Sequence, residues 1–134
     1  MNTTGNSKLT SMSPQFLVTH LEQSITFYTQ LLGFNLDFRY KDFYAGVSRD
    51  GFSLHLKTGN PNQAERQSKR INEDLDIQFG VSGIQDLYKD ISAKTIDVIQ
   101  PLREMPYGRE FYISDPDGYI LGFIEAKREN IANP

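Results

Sequence analysis

The stretch Phe16-Leu-Val-Thr-His-Leu21 is repeated 63 residues later as Phe79-Gly-Val-Ser-Gly-Ile84, with apolar residues at the first, third and sixth positions of both copies. Each copy runs from a short apolar strand into a stripe of apolar residues at helical spacing. The two stripes are Leu21, Ile25, Tyr28, Leu32 and Ile84, Leu87, Tyr88, Ile91. Because an internal repeat decides the architecture of a chain, the sequence predicts two copies of one folding unit.

Three further strands are predicted after each helix. They cover residues 33–40, 44–48 and 52–57 in the first half, and 96–102, 111–114 and 119–125 in the second. The Asp-Gly pairs at 50–51 and 117–118 are typical of hairpin turns, since glycine adopts positive φ at little cost. Leu54 corresponds to Leu121 at an offset of 67, whereas the first strand and helix repeat at an offset of 63. The second module therefore has four extra loop residues before its hairpin. The predicted fold is α+β: two βαβββ modules that form a curved mixed sheet with an open cleft.

The length of 134 residues suits one domain with one hydrophobic core. We predict this domain at 13–126, with modules at about 13–58 and 74–126. Residues 1–12 and 127–134 are polar and are expected to be flexible tails. The polar segment 58–73 is interpreted as a linker or lid between the modules.

Composition excludes several classes of function. The chain has no cysteine, which rules out disulfides, thiolate metal sites and a cysteine nucleophile. It has no apolar stretch of membrane-spanning length and no signal-peptide pattern, so we expect a cytoplasmic protein without a membrane partner. The net charge of -3 argues against a nucleic-acid partner, and the basic cluster Arg66, Lys69 and Arg70 is interpreted as a solvated loop.

Strand alternation predicts which side chains face the cleft. In the first hairpin Phe52, Leu54 and Leu56 should lie under the helix, which leaves His55 in the cleft. In the second hairpin Leu121 and Phe123 take the helix-covered role and Gly122 faces the cleft. If the hairpins pair around their turns, Tyr44 lies across from His55 and Phe111 across from Gly122, all directed into the cleft, and Arg109 joins Phe111 by alternation. A slip of one residue would reverse these faces.

Several stretches resemble one family in order and spacing. They are Val18-Thr-His-Leu-Glu-Gln-Ser-Ile-Thr-Phe-Tyr28, Leu32-Gly-Phe34, Tyr44 to Gly51, Leu54-His-Leu56, Tyr107-Gly-Arg-Glu-Phe111 and Asp115-Pro-Asp-Gly118. Over residues 13 to 126 the chain resembles the vicinal oxygen chelate superfamily of glyoxalases, bleomycin-resistance proteins and extradiol dioxygenases, and most of all the bleomycin-resistance branch. One departure is His20, where the family usually carries Asp or Asn; we interpret His20 as a helix-start residue.

The resemblance also implies where metal-dependent members hold their ion. Carried onto this chain, the four ligand positions are Ser13, His55, Asp76 and Gly122. A divalent ion generally needs about three protein ligands from His, Asp, Glu or Cys, and only two of these residues qualify. We therefore expect no metal and no other cofactor; if an ion is present, His55 and Asp76 would hold it.

The candidate ligand-binding residues are aromatic and polar side chains predicted in or beside the cleft: Phe38, Phe43, Tyr44, His55, Asp76, Tyr107, Arg109 and Phe111. Flat rings can bind a planar or cationic ligand by stacking and cation–π contact. Purely structural roles remain open as alternatives: a hydrogen-bonded strand histidine at His55, a solvated charge at Asp76 and a rim salt bridge at Arg109. Asp115 and Asp117 are interpreted as turn residues, with no catalytic role.

Three functions remain open at this stage. The resemblance implies a homodimer that binds a small molecule without metal, such as an antibiotic or an aromatic metabolite. The alternative is a metal-dependent lyase, isomerase or dioxygenase of the same superfamily, in which the ion polarises a substrate oxygen. A third possibility is a scaffold dimer with a vestigial cleft. Neither catalytic residues nor the identity of the ligand can be assigned from the fold, because one fold supports many functions.

Overall fold

The computed structural model describes residues 5–128, which form two modules with the same order of elements. The first contains β1 (Gln15–Val18), α1 (Leu21–Thr26, continued by a π-helical turn, Phe27–Leu31), β2 (Asn35–Tyr40), β3 (Tyr44–Arg49) and β4 (Phe52–Thr58). Helix α2 (Gln63–Asn72) connects the modules. The second contains β5 (Ile77–Gly80), α3 (Ile84–Ser92), β6 (Asp97–Met105), β7 (Gly108–Ser114) and β8 (Ile120–Ala126).

Each module folds into its own four-stranded mixed sheet. Sheet A has the order β1-β4-β3-β2 and sheet B the order β5-β8-β7-β6, so the internal repeat extends to topology. In both sheets the first strand pairs in parallel with the last, and the other pairs are antiparallel. The predicted α+β fold of two βαβββ modules is confirmed. Within residues 5–128 the strands form two four-stranded sheets, where one curved mixed sheet was predicted.

The core lies between the sheets and their helices. Helix α1 packs on β3 and β4, and α3 packs on β6, β7 and β8. Both modules contribute to one cluster of buried side chains, which includes Leu54, Leu56, Ile113 and Leu121. Alternation was therefore predicted correctly for Leu54, Leu56 and Leu121, which lie on the helix-covered face. The prediction is wrong for Phe52, which stands at the start of β4 beyond the cover of the helix and is 70% exposed.

Polar and aromatic contacts join the two modules. The rings of Phe16 and Tyr119 stack with centroids 4.1 Å apart. The Tyr28 hydroxyl donates to Asp115 Oδ2 over 2.8 Å, and both side chains are buried. Asp115 Oδ1 accepts the backbone N–H groups of Asp117 and Tyr119, and Asp117 Oδ1 accepts from Thr19. Asp115 and Asp117 are thus turn residues as predicted, and their turn also docks on the first module.

The helix starts are satisfied in different ways. His20 is the N-cap of α1, in agreement with its interpretation as a helix-start residue, although its side chain makes no capping hydrogen bond. Asn62 caps α2 by accepting the Glu65 N–H over 3.0 Å. Helix α3 begins after Gly83, which has no side chain, and Glu125 of β8 accepts the Ile84 N–H instead.

Helix α2 occupies the polar segment predicted as a linker or lid. The interpretation of its basic residues as a solvated loop is wrong: the Arg66 side chain is only 7% exposed and binds Asp76, while Arg70 binds Asp97. Apolar spacing does not predict this helix, because the residue that it buries is Arg66, whose charge is neutralised by Asp76. The guanidinium also lies over the Tyr119 ring, 4.2 Å from its centroid.

The chain ends were predicted as tails. Residues 5–12 form no helix or strand, and Leu9 and Met12 are exposed. At the other end, the Lys127 N–H donates to the Tyr107 carbonyl, which extends the pairing beside β7 by one residue. The remaining parts of the predicted tails, 1–4 and 129–134, lie outside the described residues.

Candidate functional site

The face of sheet A opposite α1 carries an aromatic surface, here called the open face. Strand pairing aligns Gln15, His55, Gly46 and Phe38 in one row across β1, β4, β3 and β2. Alternation places further side chains on the same face. The open face consists of Gln15, Phe38, Tyr40, Tyr44 and His55, with Phe43 in the turn between β2 and β3.

The rings of the open face contact one another in sequence. Phe38 lies edge-on to His55, with centroids 5.3 Å apart, and stacks near Tyr44 at 6.0 Å. Phe38 also contacts Tyr40, which in turn stacks on Phe43 with centroids 6.3 Å apart. Tyr40 and Phe43 are 58% and 57% exposed, so the surface ends in two aromatic side chains with much of their area in water. Such rings offer a flat apolar surface for another ring.

A glycine makes this arrangement possible. A Cβ atom built on Gly46 would lie 2.2 Å from Phe38 Cε2, which is closer than atoms can approach. Phe38 therefore lies flat over the backbone of β3 only because residue 46 has no side chain. The same absence allows Phe38 to reach the imidazole of His55 on the next strand.

Hydrogen bonds orient the polar part of the open face. The Gln15 amide donates to the Tyr44 hydroxyl over 3.0 Å, and that hydroxyl lies 2.8 Å from His55 Nδ1. In the tautomer in which Tyr44 donates to Nδ1, the Nε2–H of His55 is the group left to meet a ligand. His55 is thus a hydrogen-bonded strand histidine, as its structural alternative predicted, and is also held at the centre of the ring surface.

The corresponding face of sheet B is covered. Gly122 points away from the core, and a Cβ built there would lie 2.5 Å from Leu75 Cδ1, so Leu75 fills this position. Helix α2 is bound beside this position by two ion pairs, Arg66 with Asp76 and Arg70 with Asp97. Ile120 and Ser114, which pair with each other on the same face, are buried. The two modules therefore share a fold but differ in access to this face.

Asp76 anchors the covering helix. Its Oδ2 accepts from Arg66 over 2.6 Å and from the Ile120 N–H over 2.7 Å, and its Oδ1 lies 2.9 Å from Lys69 Nζ. Burial raises the pKa of Asp76, but the hydrogen bonds from Arg66, Ile120 and Lys69 outweigh burial and hold the pKa below its usual range. The alternative of a solvated charge is wrong for Asp76, which is a buried ion-pair residue.

Sheet B holds a second buried carboxylate, Glu110. It accepts hydrogen bonds from Tyr107 at 2.7 Å, Arg103 at 2.7 Å and Tyr112 at 3.0 Å. Burial raises the pKa of Glu110, but these three donors outweigh it and keep the pKa below its usual range. The hydrogen bond to Glu110 raises the pKa of Tyr107 to about 12. Tyr107, which was predicted in or beside the cleft, thus lies on the same face of sheet B as Glu110 and directs its hydroxyl at that carboxylate.

Two predicted cleft residues lie on the opposite face. Phe111 pairs with Phe123, is fully buried, and packs on Tyr88 of α3 in the core. Arg109 shares its face and contacts Gln85 of α3 and Glu125, the residue that caps this helix. The prediction that both face the cleft is wrong, because the turn between β7 and β8 is one residue longer than expected and Ser114 pairs with Ile120. For Arg109 the salt-bridge alternative applies.

The four carried-over metal positions do not form a set of ligands. Ser13 and Ser53 hydrogen-bond to each other through their hydroxyls. His55 binds Tyr44, Asp76 binds Arg66 and Lys69, and Gly122 has no donor atom. Within residues 5–128 no group of three His, Asp or Glu side chains is placed to hold a metal ion. The residues present therefore do not fit a divalent-ion site at these positions.

Four residues that shape these faces were not predicted from the sequence. Gln15 could have been found by extending alternation from Phe16 and Val18 to the residue before them. Glu110 and Tyr112 were missed because the predicted register of β7 placed Arg109 and Phe111 on this face in their stead. No pattern in the sequence indicates that Leu75 covers Gly122, since that contact depends on where α2 returns the chain.

Two βαβββ modules with one open and one covered sheet face define a paired-module protein of the α+β class. The chain belongs to the glyoxalase/bleomycin resistance protein/dioxygenase superfamily, whose family model matches residues 13–123. The resemblance seen in the sequence is thereby confirmed. No curated protein matches the sequence significantly. No helix within the described part of the chain is long and apolar enough to cross a membrane.

Solved structures share this fold at low sequence identity. UcmS2 is 16% identical, with a TM-score of 0.73 over 90% of this chain and 100% of its own. The bleomycin-binding protein of bleomycin-producing Streptomyces verticillus, complexed with copper(II)-bleomycin, is 22% identical, with a TM-score of 0.67 over 90% of this chain and 99% of its own. TnmS3, an antibiotic binding protein from Streptomyces sp. CB03234, is 18% identical, with a TM-score of 0.68 over 91% and 100%.

Proposed function

We propose that this protein binds a small, flat aromatic or heteroaromatic molecule on the open face of sheet A and sequesters it without a resident metal. The observation that carries the proposal is the ring surface of the open face, which ends in the exposed side chains of Tyr40 and Phe43. Stacking between flat rings is favourable when the centroids approach to about 4.5–7 Å. A ligand ring laid on these two side chains would remove their remaining surface from water.

The polar groups of the open face supply orientation. His55 is fixed by Tyr44, and Tyr44 by Gln15, so the imidazole keeps one orientation before a ligand arrives. Pockets for small molecules typically combine apolar rings with a few placed polar groups, as this face does. A fixed donor or acceptor costs less entropy on binding than a mobile one.

Two structural neighbours support a binding role of this kind. One is described as a bleomycin-binding protein and the other as an antibiotic binding protein. At 22% and 18% identity they share the fold of this chain, and the ligand of this chain is a separate question. We propose an antibiotic or an aromatic metabolite as the ligand class.

The metal-free part of the proposal rests on the donor set. A Lewis-acid enzyme of this superfamily would need an ion held by about three side chains. Only His55 and Asp76 have suitable donors among the four carried-over positions, and Asp76 is neutralised by Arg66 and Lys69. Among residues 5–128, no contact favours the alternative of a lyase, isomerase or dioxygenase.

We also propose that the protein acts as a homodimer, with a second copy as the opposite wall of the site. The open face is an uncovered sheet surface, and one sheet face buries less of a ligand than a pocket with two walls. Strand β1 is also an edge strand of sheet A, and such edges are available for pairing. Light scattering coupled to size-exclusion chromatography measures the mass directly.

The experiment is a calorimetric titration with two probes, copper(II)-bleomycin and riboflavin, a neutral planar heteroaromatic. We expect at least one of them to bind at one molecule per chain, and Phe43→Ala and Tyr40→Ala each to weaken it at least tenfold. Ile71→Ala is the matched control, since Ile71 is a 75% exposed apolar residue on α2. Binding that is equally strong in all variants would place the ligand elsewhere and refute the assignment of the open face.

A further inference from the structure

A hollow of about 620 Å³ lies between the two modules, at the β3–β4 turn and the start of α3. Its apolar walls come from both modules: Leu32, Phe34, Phe52, Phe79, Leu87 and Phe123. The strand residues Phe79 and Phe123 lie on the helix-covered side of sheet B, and Leu87 lies on α3, so the hollow is separate from the open face of sheet A. Its volume is within the range of about 300–1,000 Å³ that small-molecule sites occupy.

One aromatic side chain of the hollow is left in water. Phe52 is 70% exposed, whereas Phe34 and Phe123 are only 8% and 7% exposed. Phe79 stacks on Phe123 with centroids 5.3 Å apart and contacts the edge of Phe34 at 6.3 Å. The hollow thus has a fixed aromatic wall and one uncovered ring at its rim, between which a second ring could be buried.

The charge of the hollow is negative. Three carboxylates and one guanidinium line it: Asp50, Asp86, Asp90 and Arg49. Arg49 lies 3.5 Å from Asp50, and Asp90 is bound by Lys94 at 3.1 Å. Within residues 5–128, Asp86 forms no ion pair. Its carboxylate is therefore available to a cation that enters the hollow.

We propose that this hollow binds a small amphipathic arylalkylamine, in which a protonated alkyl amine is tethered to an aromatic ring. The aromatic part of such a ligand lies between Phe52 and the wall formed by Phe79 and Phe123, and its ammonium group binds Asp86. The net negative charge favours a cation over an anion of the same shape. Aromatic rings also attract a cation placed over their faces, which adds to the same preference.

The test is a fluorescence titration of the full chain with dansylcadaverine, which joins an aromatic fluorophore to a primary alkylammonium group and whose emission rises in an apolar site. Anilinonaphthalene sulfonate is the anionic counterpart. We expect dansylcadaverine to bind at least tenfold more tightly than the sulfonate. Phe52→Ala and Asp86→Asn should each weaken it at least fivefold, and added salt should reduce the effect of Asp86→Asn. Both residues are exposed, so neither substitution removes core packing.

The matched controls are Ile71→Ala and Asp74→Asn, which remove an exposed apolar group and an exposed carboxylate away from the hollow. They should bind dansylcadaverine as the wild-type chain does. The proposal is overturned if Phe52→Ala and Asp86→Asn bind the probe normally, or if Phe43→Ala alone abolishes binding. It is also overturned if sedimentation shows a wild-type dimer that Phe52→Ala dissociates, because a second copy would then occupy the hollow.

Discussion

Leu75 lies directly over Gly122, so that a Cβ atom on residue 122 would be 2.5 Å from Leu75 Cδ1. In metal-dependent relatives, as the family resemblance implies, this position of the last strand carries a ligand. Here a leucine side chain fills the space that a carboxylate would need. This contact and the ion pairs of Asp76 separate the chain from the metal-dependent pattern at two of four positions.

The first prediction concerns metal content. Because the four positions offer too few donors, the purified protein should contain far less than one equivalent of Zn, Ni, Mn or Fe per chain by elemental analysis. His55→Ala should leave that content unchanged. A near-stoichiometric ion that disappears in His55→Ala would contradict the metal-free account.

The second prediction concerns the glycine beneath the ring surface. Gly46→Ala places a methyl group where Phe38 now lies, so the ring must move off β3. Because a side chain can move more easily than a strand, we expect ligand affinity to fall several-fold with a loss of about 1 kcal/mol in stability. Gly80→Ala is the control, since a Cβ there meets nothing within 4 Å. Calorimetry and denaturant unfolding measure the two effects; equal affinities for both variants would be the opposing result.

The third prediction concerns the anchor of α2. Asp76→Asn removes the buried partner of the Arg66 guanidinium and leaves it only the more exposed Glu65, 3.0 Å away. Breaking a buried pair costs about 3–5 kcal/mol, and we expect a loss near the lower end of that range because Glu65 remains. Arg70→Ala removes a pair with Asp97 whose side chains are 45% and 52% exposed, and should cost less than about 1 kcal/mol. Urea unfolding of both variants makes the comparison. Similar small losses would mean that the Arg66–Asp76 pair does not hold the helix.

The fourth prediction concerns pH and the contact between Tyr28 and Asp115. Burial raises the pKa of Asp115 from 3.8 to about 6, despite the hydrogen bond from Tyr28. Because the folded state holds this proton more tightly than the unfolded state, this group's contribution to stability falls as pH rises from about 4 to about 6 and is constant above that range. Above pH 6 Asp115 is a charged carboxylate, and the cost of burying that charge is offset by the hydrogen bonds that it accepts.

Tyr28→Phe removes one of those donors. It should therefore cost about 1.5–3 kcal/mol at pH 8, where the hydrogen bond is made to a charged group, and less at pH 5. The measurement is the difference in unfolding free energy between variant and wild type at the two pH values, which cancels the titration of other groups. Equal losses at the two pH values would contradict the raised pKa, because Asp115 would then be charged at both.

Much of the fold follows from the sequence because the repeat appears as apolar spacing. Phe16, Val18 and Leu21 and their counterparts in the second half are all core residues or pack against the core. Tyr44 was predicted opposite His55 and actually pairs with Lys57, because Asp50 and Gly51 form a two-residue turn with positive φ at both. This register error of two residues keeps the face, and the contact between Tyr44 and His55 exists.

The second hairpin shows why other predictions failed. Tyr119 joins the loop because its N–H binds Asp115, and the resulting shift of one residue moves Phe111 into the core. Helix α2 could not be found from apolar periodicity, since its buried residue is Arg66. Contacts that depend on pairing between distant charges, such as Arg66 with Asp76, are not encoded in local spacing.

The central claim, that the open face of sheet A is the ligand surface, is tested most directly by nuclear magnetic resonance. The measurement is a screen of planar heteroaromatic fragments against the 15N-labelled protein, with chemical-shift changes mapped onto the sequence. The account predicts that binding fragments shift the amides of Tyr40, Phe43, Tyr44 and His55 together. Fragments that bind but shift only residues elsewhere, or a screen in which no fragment shifts these four amides, would contradict it.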